Sequence, residues 1–362
     1  MKITAFKTTL VSIPLAKPIS TAIHQIDSVG CVLLELETDQ GLTGEAMVQT
    51  LNGARLKVLE QMLRSFAHQV EGRDPHDIGA IWQACWQEMN PIGHKGFTLY
   101  ALTAIDTACW DLIGKAAGQP LHRLFGACRD QVKTYASGGL WLSQSIDSLV
   151  AEAEQFIDAG FRSMKIRLGK PRISEDVARV RAVRQAIGDD TELLADANQS
   201  LSVKHAIRLG RALEDFELGW FEEPVAYQDI AGCTAVRAAL DVPIAAGETE
   251  YSRYGMRDIL NAGAVDVLMP DLQRIGGLSE MRRVAALAAA LDVPISTHIF
   301  TEYSLCIAGS EANCISVEHM PWNTLLFNEE MEIEDGFLRI PDRPGTGFTF
   351  DKQAINRFSM PT

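Results

Sequence analysis

Ala239-Leu-Asp-Val-Pro-Ile244 recurs without change as Ala290-Leu-Asp-Val-Pro-Ile295. Each copy closes an amphipathic helical pattern and opens a short apolar run, because the residue before a proline is pushed out of the α region into extended backbone. One helix-to-strand joint used twice marks a repeated unit. Outward from these joints, strand patterns fall at Val132 to Tyr135, Ser163 to Arg167, Glu192 to Asp196, Leu218 to Glu222, Pro243 to Glu248, Val265 to Asp271, Pro294 to His298 and Ile315 to Glu318. Helical patterns lie between most of them, as at Ser174 to Ile187, Val203 to Glu214 and Ser279 to Leu291.

Strict alternation of β and α elements implies parallel strands joined by right-handed crossovers, and seven or eight such units predict an α/β fold closed into a TIM-like barrel. A doubly wound sheet is the competing reading. Its glycine-rich phosphate fingerprint is missing, and Arg274-Ile-Gly-Gly-Leu278 does not match it. The barrel is expected over residues 126–321.

Residues 1–125 read differently, as an α+β region. Alternating runs at Ile3 to Pro14 and Val29 to Glu37 lead through the turn signal Thr38-Asp-Gln-Gly-Leu42 into a third run ending at Val48. Helical patterns follow at Ala54 to Val70, Asp77 to Met89 and Leu99 to Ala117, the last closed by Gly118 and Pro120. The tail, 322–362, carries Pro341, Pro344, Gly345 and Gly347, a poor composition for another barrel unit. It is expected to pack back on the first region.

The chain of 362 residues is 47% hydrophobic and 22% charged, the balance of a soluble globular protein. The start lacks the apolar block of a signal peptide, so a cytoplasmic protein is expected. Its net charge of -14 argues against nucleic acid or an anionic membrane as partner. The seven cysteines form no Cys-x-x-Cys pair, and most sit in apolar stretches as buried free thiols would.

Polar residues recur at the C-terminal strand ends: Lys165 with Arg167, Asp196, Glu222 with Glu223, Glu248, Asp271, His298 and Glu318. From Lys165 the steps are 31, 26, 26, 23, 27 and 20 residues, close to one βα unit each. In a barrel these ends converge on the face that carries the active site. Asp196, one of the two glutamates 222 and 223, and Glu248 offer only oxygen. Three such anions repel unless a cation lies between them, and an all-oxygen set selects a hard ion such as Mg2+. Singly, each acid would read as an ordinary solvated residue. Asp271 beside His298 can orient the ring and make the histidine a general base. Lys165 and Arg167 either neutralise the acids or hold a substrate carboxylate.

These residues resemble the enolase superfamily, and within it the mandelate racemase / muconate lactonizing enzyme subgroup. The resemblance rests on Pro14-Leu-Ala-Lys-Pro-Ile-Ser-Thr-Ala22, Lys165-Ile-Arg167, Asp196-Ala-Asn-Gln-Ser200, Phe221-Glu-Glu-Pro224, Gly247-Glu248, Met269-Pro-Asp271 with Ile275-Gly-Gly277, Ser296-Thr-His298, Glu318 and Ile340-Pro-Asp-Arg-Pro-Gly345. It implies that Asp196, Glu222 and Glu248 bind Mg2+, and that His298 with Asp271 is an acid/base dyad. Lys165 would polarise the substrate carboxylate and Glu318 donate a hydrogen bond to it. The implied chemistry is removal of the proton α to a carboxylate, through an enediolate. The resemblance also implies a capping domain formed by residues 1–125 and 322–362, whose loops Ile19 to Ser28 and Gln49 to Arg55 shape specificity, and a symmetric homo-oligomer, dimer or octamer. His24, Asn52, Asn198, Tyr251, Tyr303 and Trp322 are the candidate substrate contacts.

One position departs from the pattern. Racemases of this subgroup place a lysine, as second base, where this chain has Arg167. A guanidinium with a pKa above about 12 is a poor base. Elimination by His298 alone therefore becomes the leading expectation: dehydration of a sugar acid to a 2-keto-3-deoxy acid. A racemase, epimerase or lactone cycloisomerase is the alternative on the same machinery, and a non-catalytic metal- or ligand-binding protein the remote one.

Overall fold

Three long strands open the computed structural model, which describes residues 1–360; Pro361 and Thr362 of the tail lie outside the described residues. β1 (Ile3–Ser20), β2 (Gln25–Thr38) and β3 (Thr43–Leu51) form an antiparallel meander, with the expected Thr38–Leu42 turn between the last two. Leu10, Val32, Leu34, Leu36, Ala46 and Val48 pack with α1 (Leu56–Ser65), α2 (Ile78–Glu88) and α3 (Phe97–Ala117). Val11, Ile13, Val29, Cys31, Leu33 and Met47 belong instead to the core shared with the barrel. Both faces of β2 and β3 are therefore buried, which explains why β2 reads as a nearly continuous apolar run. Helix α3 lies so close to β3 that a Cβ at Gly44 would collide with the carbonyl oxygen of Ala108.

Eight parallel strands follow and close: β4 (Gln131–Ala136), β5 (Ser163–Arg167), β6 (Glu192–Asp196), β7 (Phe221–Glu222), β8 (Ile244–Ala246), β9 (Val267–Leu268), β10 (Ile295–Thr297) and β11 (Cys314–His319), with β11 paired to β4. The expected barrel is present, with β7 and β9 shorter than their apolar runs. Tyr135, Leu194, Trp220, Ala245, Val267 and Met269 form a separate apolar cluster on these strands and the residues beside them. Register sets the site: Arg167 lies beside Asp196, Asp196 beside Glu222, and Asp271 is bridged to His298.

The cap docks on the barrel chiefly through α3. Thr103 Oγ1 donates to the carbonyls of Leu272 and Gln273, Ser279 N donates to Asp106 Oδ2 at 2.9 Å, and Trp110 Nε1 to Ser279 Oγ at 2.8 Å. The tail, expected on the first region as a whole, divides. Its hairpin of β12 (Ile333–Glu334) and β13 (Phe337–Arg339) pairs antiparallel with the first half of β4. Residues 345–360 return to the cap, where Thr346 N donates to Asp111 Oδ1 (2.9 Å) and Met360 N to Leu10 O (2.9 Å). Six of the seven thiols are buried and Cys128 is exposed, all of them free. Among the described residues no helix is long and apolar enough to cross a membrane.

Asp111 ties three of these parts together. It is wholly buried and accepts from Lys115 Nζ (2.6 Å), Glu45 N (3.0 Å) and Thr346 N (2.9 Å). Asp111→Ala is expected to lower stability by about 3–5 kcal/mol in urea unfolding, because it strands a largely buried ammonium and two amides. Asp111→Asn should lose less. A loss below about 1 kcal/mol in the alanine variant would show that the junction does not depend on this contact.

Candidate active site

Lys165 and Arg167 both point inward from β5, as residues two apart on one strand must. Lys165 is 1% exposed; its Nζ lies 2.6 Å from Glu222 Oε1 and 2.9 Å from Glu318 Oε1, over the Tyr135 ring at 5.4 Å. Burial works to lower its pKa, but the two carboxylates outweigh it and the ammonium is held above its ordinary range. One ammonium thus serves two acids. Against burial, Lys165 holds Glu318 well below the usual carboxylate range, while burial keeps Glu222 well above it.

Arg167 is fixed on every side. Nη2 donates to Ser137 Oγ (2.9 Å) and Ser137 O (3.2 Å), and Nη1 to Lys165 O (3.2 Å). Its guanidinium stacks on Trp141, 4.6 Å from the ring centroid. Nε stands 3.3 Å from Asp196 Oδ2, an ion pair without a hydrogen bond.

The dyad forms on the far side. His298 Nδ1 lies 2.7 Å from Asp271 Oδ2, and Asp271 Oδ1 accepts from Arg274 N at 2.9 Å. An ionised carboxylate can only accept, so Asp271 fixes the proton on Nδ1 and leaves Nε2 free for chemistry. Nε2 stands 3.3 Å from Glu248 Oε2. Burial works to lower the imidazole pKa, but Glu248, the Asp271 hydrogen bond and Glu318 raise it to about 9. Arg274 Nη1 also binds the Glu248 carbonyl at 2.6 Å, joining the two sectors.

A cavity of about 610 Å3 opens above these groups, lined by Lys165, Arg167, Asp196, Glu223, Glu248, His298 and Glu318 below and by Thr21 to Ile26 and Gln49 to Arg55 of the cap. Glu222 and Asp271 lie behind this wall. Of the candidate substrate contacts, His24, Asn52, Asn198 and Trp322 line the cavity. Tyr251 and Tyr303 do not. Tyr303, 1% exposed, faces inward from the helix after β10 and packs edge-on against Phe327. Sequence reasoning also missed Ser137 and Trp141. Ser137 follows β4 at the matching register, so counting from the first strand would have found it.

The acids fit a hard divalent cation. Asp196, Glu222, Glu223, Glu248, Asp271 and Glu318 outnumber Lys165, Arg167 and Arg274, and two buried acceptors, Asn198 Oδ1 and Glu223 Oε1, have no donor. Surplus buried acceptors are what a cation satisfies. Among the described residues no three acids stand as a ready-made cage; Asp196, Glu222 and Glu248 are each drawn to a cation or to His298. Positive φ at Asn198, Gln199, Glu223, Ile299 and Phe300 clusters strain at these same strand ends.

Comparison with known proteins agrees with this fold. Residues 3–126 match the mandelate racemase / muconate lactonizing enzyme N-terminal domain and residues 148–354 the enolase C-terminal domain-like family. The chain is 33% identical to L-talarate/galactarate dehydratase of Salmonella typhimurium, over 96% of this chain and 89% of that one. It is 33% identical to D-galactarolactone cycloisomerase of Agrobacterium fabrum over the whole of both chains. The crystal structure of L-talarate dehydratase from Polaromonas sp. JS666, complexed with Mg and L-glucarate, superposes with a TM-score of 0.94 at 34% identity, covering 99% of this chain and 98% of that one.

The raised histidine pKa is directly measurable. In protein kept metal-free, the His298 imidazole is expected to titrate at about 9 by NMR rather than at its ordinary 6.5. The stabilisation that accompanies its charge is full below pH 6.5 and is lost as pH rises through about 9. Asp271→Asn should lower that value; titration at or below 6.5 in the unsubstituted protein would refute the arrangement described.

Proposed function

The chain belongs to the mandelate racemase / muconate lactonizing enzyme family of the enolase superfamily, and from that premise we propose a Mg2+-dependent dehydratase of sugar acids. It would remove the proton α to a carboxylate and expel the β-hydroxyl as water, giving a 2-keto-3-deoxy acid. The observation that carries this reading is the asymmetry of the mouth. One face has a histidine poised by a buried carboxylate, and the other has an arginine locked where a second base would stand.

In this proposal Asp196, Glu222 and Glu248 hold the ion, which when bound stabilises negative charge developing on the substrate carboxylate. Lys165 offers its ammonium to the same oxygens. Glu318 is an acceptor throughout, from Ser137 Oγ, Ile299 N and Lys165, so it needs a proton before it can donate to substrate. An arriving carboxylate raises its proton affinity by like-charge repulsion, which is the condition for that role. His298 Nε2 takes the α-proton as the C–H bond breaks. Among the charges raising His298, Glu248 comes first, so neutralising Glu248 returns the imidazole toward the range of a base at neutral pH. The same nitrogen then protonates the departing β-oxygen, water leaves, and the enol product ketonises. Arg167 supplies fixed charge and no proton transfer.

Cycloisomerisation, racemisation or epimerisation of a hydroxy acid is the second reading, supported by the full-length likeness to a cycloisomerase. A homo-oligomer, dimer or octamer, accompanies either.

A panel of sugar acids with Mg2+ should yield a 2-keto product from at least one member, with activity abolished by EDTA and restored by Mg2+. His298→Asn is expected to lower kcat by about 10^3-fold or more. Arg167→Met should mainly raise KM, about ten-fold, with α-proton exchange in D2O still confined to one stereoisomer. Reversible α-deuteration of recovered acid, without loss of hydroxyl, would replace the dehydratase with an isomerase.

A further inference from the structure

Two side-chain amides in the cavity wall have their oxygen ends engaged and their nitrogen ends uncommitted. Gln49, on β3 of the cap, is 3% exposed, and its Oε1 accepts from Asn323 Nδ2 at 2.5 Å. Gln273, just after β9, is 4% exposed, and its Oε1 accepts from the backbone N of Gln49 at 3.0 Å. Among the described residues neither Nε2 donates to a protein group, and neither is sealed inside protein: both residues line the cavity.

The ends are fixed by what lies behind them. Cys31 Sγ donates to Asn323 Oδ1 at 3.4 Å, and burial holds that thiol protonated. With Oδ1 taken by the thiol, Asn323 offers Nδ2 to Gln49, and Gln49 turns its own NH2 to the cavity. For Gln273 the partner is a backbone N–H, whose direction cannot reverse. The polarity of this corner is set from inside.

We infer that Gln49 and Gln273 form a paired donor that binds an acceptor oxygen on the substrate beyond its reacting carbons, a hydroxyl or a second carboxylate at the far end of a sugar acid. The inference rests on the sugar-acid reading above. Gln273 follows β9 and Asn323 follows β11, so the pair stands over the strands that carry Asp271, His298 and Glu318. One amide comes from the cap and one from the barrel. Buried donors left unpaired by an apolar chain cost binding, so this corner selects hydroxylated or diacid substrates.

The test is calorimetry with Mg2+-loaded His298→Asn protein, titrated with galactarate, which ends in a carboxylate, and galactonate, which ends in a hydroxymethyl group. Adding Gln49→Leu or Gln273→Leu is expected to weaken the tighter-binding acid about ten-fold. Cys31→Ser, which keeps the donor, should preserve binding, and Asn323→Asp, which cannot donate to Gln49, should weaken it. Gln49→Glu should weaken galactarate far more than galactonate if the far-end oxygen is a carboxylate, and both alike if it is a hydroxyl. Dissociation constants within two-fold of the starting protein in both leucine variants, with only the thermal midpoint lowered, would reduce the amides to a staple between cap and barrel and overturn the inference alone. Absence of binding by every member of the sugar-acid panel, before any amide is changed, would overturn the sugar-acid reading together with it.

Discussion

The buried ammonium of Lys165 is the constraint on which the barrel mouth depends. Two carboxylates from β7 and β11 converge on it at 2.6 and 2.9 Å, and only 1% of the residue is exposed. A charge taken out of water is tolerated only when its partners are fixed, and here they are fixed by strand register. The same register stacks acids more densely than the cations can neutralise. The mouth thus carries more acids than cations, in a chain that is strongly acidic as a whole.

The cap answers a different problem. Its second and third strands have almost no solvent face: helices cover one side and the barrel the other. That arrangement brings the turn after β3 and the β1–β2 hairpin over the cavity. Loops held this way can vary in side chain while the sheet beneath stays constant, the usual division between scaffold and specificity.

Much of this was legible in the sequence. The eight strands, the cap helices and the residues at the strand ends all follow from periodicity and from the repeated joint at Ala239 and Ala290. The recurring interval also brought Asp271 to His298, which the structure places 2.7 Å apart. What escaped was set by three-dimensional packing rather than spacing. Trp141 lies in a loop after β4, and nothing local says that its ring will bed a guanidinium. Tyr303 looked like a mouth residue because it follows β10 closely, yet helical phase turns it into the core. Spacing also could not show that the strand's pleat puts Glu222 beneath the wall and leaves Glu223 on it. The tail's division between barrel and cap was hidden because β13 is a three-residue strand among prolines and glycines.

The pairing of β13 with β4 bears on how the molecule comes to exist. β4 gives its later residue Ala136 to β5, while its earlier residues Gln131 to Lys133 are completed by Phe337 to Arg339, some two hundred positions further along. The first barrel strand to leave the ribosome is therefore among the last to be finished. Contacts so distant in sequence delay closure and favour a late, cooperative step over strand-by-strand assembly during synthesis. The cluster of charges at the mouth, drawn from β5, β6, β7 and β11, depends on the same closed ring of strands.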